Sequence, residues 1–140
     1  MTSDYTFAKP EVALDEGIYA FLEDFYRISD DPEGHETYLQ QFTPDATVIL
    51  ATYKTKGSEE IRNLRKQMWV KVAGRKHKVH RVFAAAAGSP EIMLYGEVTQ
   101  KLRSGGELIK DWAARGILEK SADDGKWRFA FYQVYLDMSN

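Results

Sequence analysis

From residue 76 onward apolar positions recur with a period of two; before it they recur at helical spacing. The most pronounced stretch is Glu107-Leu-Ile-Lys-Asp-Trp-Ala-Ala-Arg-Gly-Ile-Leu-Glu-Lys120. It is followed by Ser121-Ala-Asp-Asp-Gly125 and by Lys126-Trp-Arg-Phe-Ala-Phe-Tyr-Gln-Val-Tyr-Leu136. Two runs of aliphatic and aromatic residues joined by Asp-Asp-Gly predict a β-hairpin. Each arm is about twice the usual strand length. Both faces carry apolar residues, which implies a sheet covered on both sides or curled round a cavity. Gly88-Ser-Pro90 and Arg103-Ser-Gly-Gly106 divide the rest of this half, giving strands at about 76–86, 91–103, 106–120 and 126–137.

In the first half, Ile18, Phe21, Leu22, Phe25 and Tyr26 fall on one helical face. The pattern predicts a helix of about five turns that starts near Pro10 and is ended by Asp30-Asp31-Pro32. A short helix is expected from His35 to Phe42, burying Leu39 and Phe42. A strand follows at 45–53, then a turn at Lys54–Gly57. Ser58 with Glu59 and Glu60 reads as a capped helix start. Ile61, Leu64, Met68 and Val72 form its buried stripe, Arg62, Arg65 and Lys66 its solvated face, and Gly74 its end. Helices gathered before an antiparallel meander make an α+β domain, with a ligand site between the helices and a bent sheet. Residues 1–10 read as an arm pinned by Tyr5 and Phe7, and 11–140 as one domain.

The chain has 140 residues, enough to bury a core without staples, and no Cys, which excludes disulfides, thiolate metal sites and a Cys nucleophile. Neither a leader-like start nor a membrane-length apolar run occurs, so a soluble, cytoplasmic protein is expected. The net charge of −2 is unevenly spread. Residues 1–45 carry eleven acidic and two basic side chains, and residues 54–81 carry ten basic and two acidic ones. Mutual neutralisation of these segments explains the basic block better than nucleic-acid binding, because little aromatic interleaving accompanies it.

Three side chains stand out chemically. Alternation places His77 with Val79, Arg81 and Phe83 on an inward face, suited to acid/base work. His77 and His80, three apart on a strand, point to opposite faces and do not share a metal ion. Asp111 and Arg115 fall on one face with Ile109 and Ile117, where each needs a partner or a wet cavity, because an unpaired buried charge is costly. Gly96 marks a bulge or a close approach.

Several segments carry a more specific signal: Phe25-Tyr-Arg-Ile-Ser-Asp30, Phe42-Thr-Pro-Asp-Ala-Thr47, Gly57-Ser-Glu-Glu-Ile61, Met68-Trp69, Arg75-Lys-His77, Asp111-Trp-Ala-Ala-Arg115 and Tyr132-Gln-Val-Tyr-Leu136. Together with the element order, they resemble the SnoaL-like, nuclear-transport-factor-2-like (NTF2-like) superfamily. That group includes polyketide cyclases, scytalone dehydratase, ketosteroid isomerase and limonene epoxide hydrolase, and the wording is similar to small fungal SnoaL-like proteins. The resemblance spans residues 11–137. It implies a cone of three N-terminal helices packed on a strongly curved antiparallel sheet, with a closed apolar pocket and a homodimer through the outer sheet face.

By position, His77 resembles the catalytic histidine of scytalone dehydratase, and Asp30, or its neighbour Asp31, the aspartate that orients it. Ala113 and Arg115 stand where that enzyme has a serine and an asparagine. Gly96 replaces a second pocket histidine and Leu50 a pocket tyrosine. The resemblance therefore implies a retained dyad and a ligand other than scytalone. The expected activity is cofactor-independent acid/base catalysis (cyclase, isomerase or dehydratase) on a polyketide-like or terpenoid-like hydrophobic small molecule. In it His77 moves the proton, Asp30 fixes its tautomer, and Asp111 is a second acid/base group. Arg115 holds an enolate or carboxylate, and Tyr53 and Trp69 line the wall. No cofactor, metal, nucleic acid or membrane partner is expected. The alternative is a non-catalytic small-molecule-binding or dimerisation module, since this fold hosts all of these.

Overall fold

The computed structural model describes Tyr5 and residues 14–138. The meander predicted for the second half is present as β3 (Val72–Ala84), β4 (Glu91–Leu102), β5 (Glu107–Lys120) and β6 (Trp127–Leu136), each antiparallel to the next. At the β5–β6 hairpin Gly125 takes φ 70° and donates its N–H to Ser121 O at 2.9 Å. The first half supplies α1 (Glu16–Ser29), α2 (His35–Leu39), β1 (Phe42–Leu50), β2 (Tyr53–Lys56) and α3 (Ser58–Met68). β1 docks parallel to β6, so one six-stranded sheet runs β2-β1-β6-β5-β4-β3. The architecture is α+β, with a curved, largely antiparallel sheet and three helices, the third of which follows the first two strands.

Several local expectations are corrected. Phe42 begins β1 instead of closing α2, and Tyr38 rather than Leu39 is the buried residue of that helix. Pro44 falls where the β1–β6 register shifts, a place that tolerates a residue without an N–H. Residues 54–56 pair as β2 rather than turning. Gly57, not Ser58, caps α3, and no side chain bonds to that cap. The helix ends at Met68 with Trp69 as C-cap, and Gly74 lies within β3. The expected start of α1 near Pro10 and the role of Phe7 lie outside the described residues. Tyr5 is described, with Lys76 Nζ 3.5 Å from its ring centre.

The core forms where the helical stripe of α1 meets the inner sheet face. Phe25, wholly buried, sits at its centre, with ring centres of Tyr26, Tyr38, Phe42, Phe129 and Tyr132 between 5.0 and 5.7 Å away. Burying one such ring stabilises the fold by about 1.5–3 kcal/mol. Curvature comes from bulges. Val79 pairs with Gly96 and Arg81 with Tyr95, so His80 is an extra residue in β3. The inward set therefore switches from His77 and Val79 to Val82, and Phe83 turns outward, 49 % exposed. Gly96 is required there: a Cβ on it would lie 1.8 Å from the Lys78 carbonyl oxygen. The outer sheet face is itself apolar, exposing Phe83, Met93, Tyr95, Ile109 and Tyr135. Among the described residues no helix is long and apolar enough to cross a membrane.

Candidate active site

α1 ends at Ser29, and Asp30 is its C-cap, its N–H bonded to Tyr26 O and Ile28 O. This places the Asp30 carboxylate against β3. Oδ2 accepts from the His77 backbone N–H at 2.8 Å, and Oδ1 lies 2.6 Å from His77 Nδ1. Both carboxylate oxygens thus engage one residue. A carboxylate accepts from a ring N–H, so this contact puts the proton on Nδ1 and leaves Nε2 as the basic atom. The imidazole is also held from its faces: the Tyr26 ring centre is 5.2 Å away and the Trp112 ring meets it edge-on at 5.5 Å. The expected pairing of His77 with Asp30 is therefore the geometry found. Asp31 instead accepts the Glu33 N–H at the following turn.

His77 lines a cavity of about 700 Å³ between the helices and the inner sheet face. Its walls are mostly apolar (Val48, Leu64, Val98, Leu108, Trp112 and Val134 among them), and Tyr38, Tyr132 and Arg75 add polar atoms. The cavity is not closed. Val70, Lys71, Arg103 and Ser104, all exposed, form its rim. A volume of this size accommodates a drug-sized or polyketide-sized molecule.

Other predicted site residues lie elsewhere. Asp111 is exposed on the outer face, opposite Glu97 of β4. Arg115 is on that same face, bonded to Glu91 Oε2 at 2.8 Å with its guanidinium over the Phe131 ring. The inward set of β5 is Trp112, Ala114 and Leu118, each buried. The expected face of β5 is therefore reversed: Ile109 and Ile117, which suggested an inner face, belong to the apolar outer one. Tyr53 is 59 % exposed and is not among the cavity-lining residues. Trp69 is buried but stands behind the cavity, under the guanidinium groups of Arg65 and Arg75 at 5.1 and 4.8 Å.

Three functional positions lacked a strong sequence signal. Arg65, expected on the solvated face, is fully buried. It donates to Ser29 O and Asp31 O at 2.7 Å each and to His35 Nδ1 at 3.0 Å, so a cation closes the end of α1 that carries Asp30. Burial lowers its pKa, partly countered by Tyr38 and Asp30. Tyr132 lines the cavity with its hydroxyl 3.0 Å from that of Tyr26, which is wholly buried behind it. When Tyr26 donates, the Tyr132 proton is left to face the cavity. Burial raises the pKa of both phenols, so both are neutral donors at physiological pH. Arg75 bonds Met68 O at 2.8 Å, while its Nη1 is buried without a hydrogen-bond partner among the described residues. The two-residue period of β6 was the available clue to Tyr132, since Tyr132, Val134 and Leu136 all line the cavity. The segment charges do pack together as expected, with Arg62 of the basic segment bonded through two nitrogens to Glu36 of the acidic one. Among the described residues no group of three or more metal-ligating side chains converges.

No family model and no curated protein matches the chain. Solved structures do, at the level of fold. A Novosphingobium aromaticivorans protein provisionally assigned as a scytalone dehydratase superposes with a TM-score of 0.76 at 15 % identity, covering 88 % of this chain and 83 % of that one. Nuclear transport factor 2 of Cryptosporidium parvum superposes with a TM-score of 0.67 at 13 % identity, covering 84 % and 90 %. A hypothetical Catenulispora acidiphila protein of ketosteroid-isomerase-like fold, solved with trimethylamine, gives 0.70 at 10 % identity, covering 85 % and 86 %. The fold is the NTF2-like cone, as the sequence resemblance implied.

Proposed function

We propose that this chain is a cofactor-independent acid/base enzyme acting on a polyketide-like or terpenoid-like small molecule held in the cone. The observation that carries the reading is the Asp30–His77 contact at the wall of an apolar cavity. His77 Nε2 takes a proton from a carbon next to a carbonyl. Asp30 fixes the tautomer and stabilises the imidazolium that forms. Tyr132, neutral and backed by Tyr26, donates to the carbonyl oxygen as negative charge grows on it. Deprotonation next to a carbonyl is the first step common to aldol cyclisation, double-bond isomerisation and elimination of a β-hydroxyl. The dyad therefore fits the whole set. Asp111 and Arg115 have no part in this proposal.

The test is turnover of a panel of enolisable aromatic ketones and β-hydroxyketones. His77→Ala and Asp30→Asn are expected to lose at least a hundredfold in kcat while keeping the far-UV spectrum of the parent. Normal turnover in either variant would sink the assignment.

A second reading has its own support. The outer face is apolar and carries the Arg115–Glu91 ion pair, which suits a binding module that dimerises through that face. In that case ligands bind the cavity unchanged and His77→Ala leaves them unaltered. Sedimentation at micromolar concentration tests the homodimer itself. Tyr95→Glu should release monomers, and a monomeric parent would end that part of the proposal.

A further inference from the structure

The charged groups on the cavity wall are all of one sign. Lys71, Arg75, Arg103 and Lys110 line it, and among the described residues no Asp or Glu does; Lys110 Nζ is already bonded to Asp137 O at 3.0 Å. Asp30 lies behind the wall with both oxygens engaged by His77. Trp112 Nε1 and Arg75 Nη1, both hydrogen-bond donors, are buried within the wall without a partner among the described residues. A wall whose charged groups are all cations is complementary to an acceptor-rich, negatively charged group.

The position of Arg75 is fixed by its surroundings. Its guanidinium lies over the buried Trp69 ring at 4.8 Å, and one edge is tied to Met68 O at 2.8 Å. Arg103 Nε bonds Trp69 O at 3.3 Å, tethering a second cation to the same turn. Arg75 and His77 are two residues apart on β3, in unbroken register with Gln100 and Val98. Their side chains therefore leave the strand on the same face about 7 Å apart. A group held at Arg75 sets the distance to the reacting carbon at His77.

We infer that the cavity takes an apolar carboxylic acid, its carboxylate held at Arg75 with Lys71 and Arg103 at the rim, and its reacting carbon a few bonds away against His77. This rests on the cavity being the ligand site proposed above, and it narrows the substrate class from polyketide-like or terpenoid-like molecules in general to those that carry a carboxylate. The arginine once expected on β5 for this purpose has its counterpart on β3.

The test uses two probes of equal shape, 2-naphthoate and 2-naphthamide, titrated into the full chain and followed by ligand-observed NMR. The acid is expected to bind at least tenfold more tightly than the amide, with that ratio shrinking as salt rises from 50 to 500 mM. Arg75→Met should weaken the acid about tenfold or more and leave the amide within about threefold; Arg75→Lys should keep part of the preference. Equal binding of acid and amide by the parent overturns the anionic assignment and leaves the ligand site standing. Absence of binding by either probe removes both. Retention of the full preference in a folded Arg75→Met overturns the role of Arg75. If that variant does not fold, the acid-to-amide ratio and its salt dependence in the parent still decide the sign of the site.

Discussion

Replacing Arg65 by Met should be among the most destabilising substitutions of a charged residue in this chain. Arg65 is fully buried, and its guanidinium supplies donors to Ser29 O and Asp31 O, both at 2.7 Å. It also contacts His35 Nδ1 at 3.0 Å and the Tyr38 ring at 4.6 Å. Methionine keeps most of the stem volume and removes every donor. Ser29 O then loses the guanidinium partner, at about 1–3 kcal/mol, and Asp31 O loses one of two donors, keeping the Gly34 N–H, while the contacts to His35 and Tyr38 are lost as well. Relief from burying a charge offsets part of this. The net loss is about 3 kcal/mol, or about 10 °C in Tm for a chain of this size. Arg65→Lys should recover little, since one ammonium cannot reach acceptors arranged for a planar fork. Urea unfolding gives the answer, with Arg62→Met as control. Arg62 bonds Glu36 and Glu59, both strongly exposed, and its removal should leave the midpoint unchanged. Equal midpoints for the parent and Arg65→Met would refute the view that this cation holds the end of α1.

That contrast shows where the sequence stopped being legible. Arg62 and Arg65 carry the same charge on the same helix, and only the approach of α1 makes one a core residue. The meander was readable because four strands keep a period of two between glycine-rich turns. The β5 face was not, because Ile109 and Ile117 alternate with Trp112 and Leu118, and an apolar outer face mimics an inner one. His80 misled in the same way: an extra residue opposite Gly96 reverses the inward set, and bulges leave no periodic trace. The Asp30–His77 pair came from resemblance rather than spacing, since 47 residues separate the partners. Alternation on β3 nevertheless put His77 on the correct side.

Further outcomes follow from the same structure. Gly96→Ala should cost about 2–4 kcal/mol, because its Cβ would meet the Lys78 carbonyl oxygen, and the urea midpoint will show it; a neutral result would mean the β3 bulge yields freely. Asp111→Asn should change stability by no more than about 0.5 kcal/mol and leave turnover intact, because the side chain is exposed opposite Glu97; loss of activity would return Asp111 to the site. Burial raises the pKa values of Tyr26, Tyr38 and Tyr132 above the ordinary phenol value of about 10, that of Tyr38 to about 12. Unfolding releases these phenols to ionise, so their contribution is intact below pH 10 and is lost as pH rises through the folded values. The slope reaches about 1.4 kcal/mol per pH unit for each phenol. Urea midpoints at pH 9, 10 and 11 should fall, and less steeply in Tyr38→Phe; a flat profile would contradict the burial of these hydroxyls.

The most direct measurement is deuterium wash-in. 1-Tetralone, an aromatic ketone small enough for the cavity, is incubated in D₂O with the protein, and loss of the proton signal next to its carbonyl is followed by NMR. Catalysis of this exchange needs no knowledge of the natural substrate, because it isolates the proton transfer assigned to His77. The account predicts protein-dependent exchange that disappears in His77→Gln, falls sharply in Asp30→Asn and is reduced in Tyr132→Phe. Exchange at the same rate with His77→Gln as with the parent would contradict it, and so would no exchange above the buffer rate from a parent shown to bind the ketone.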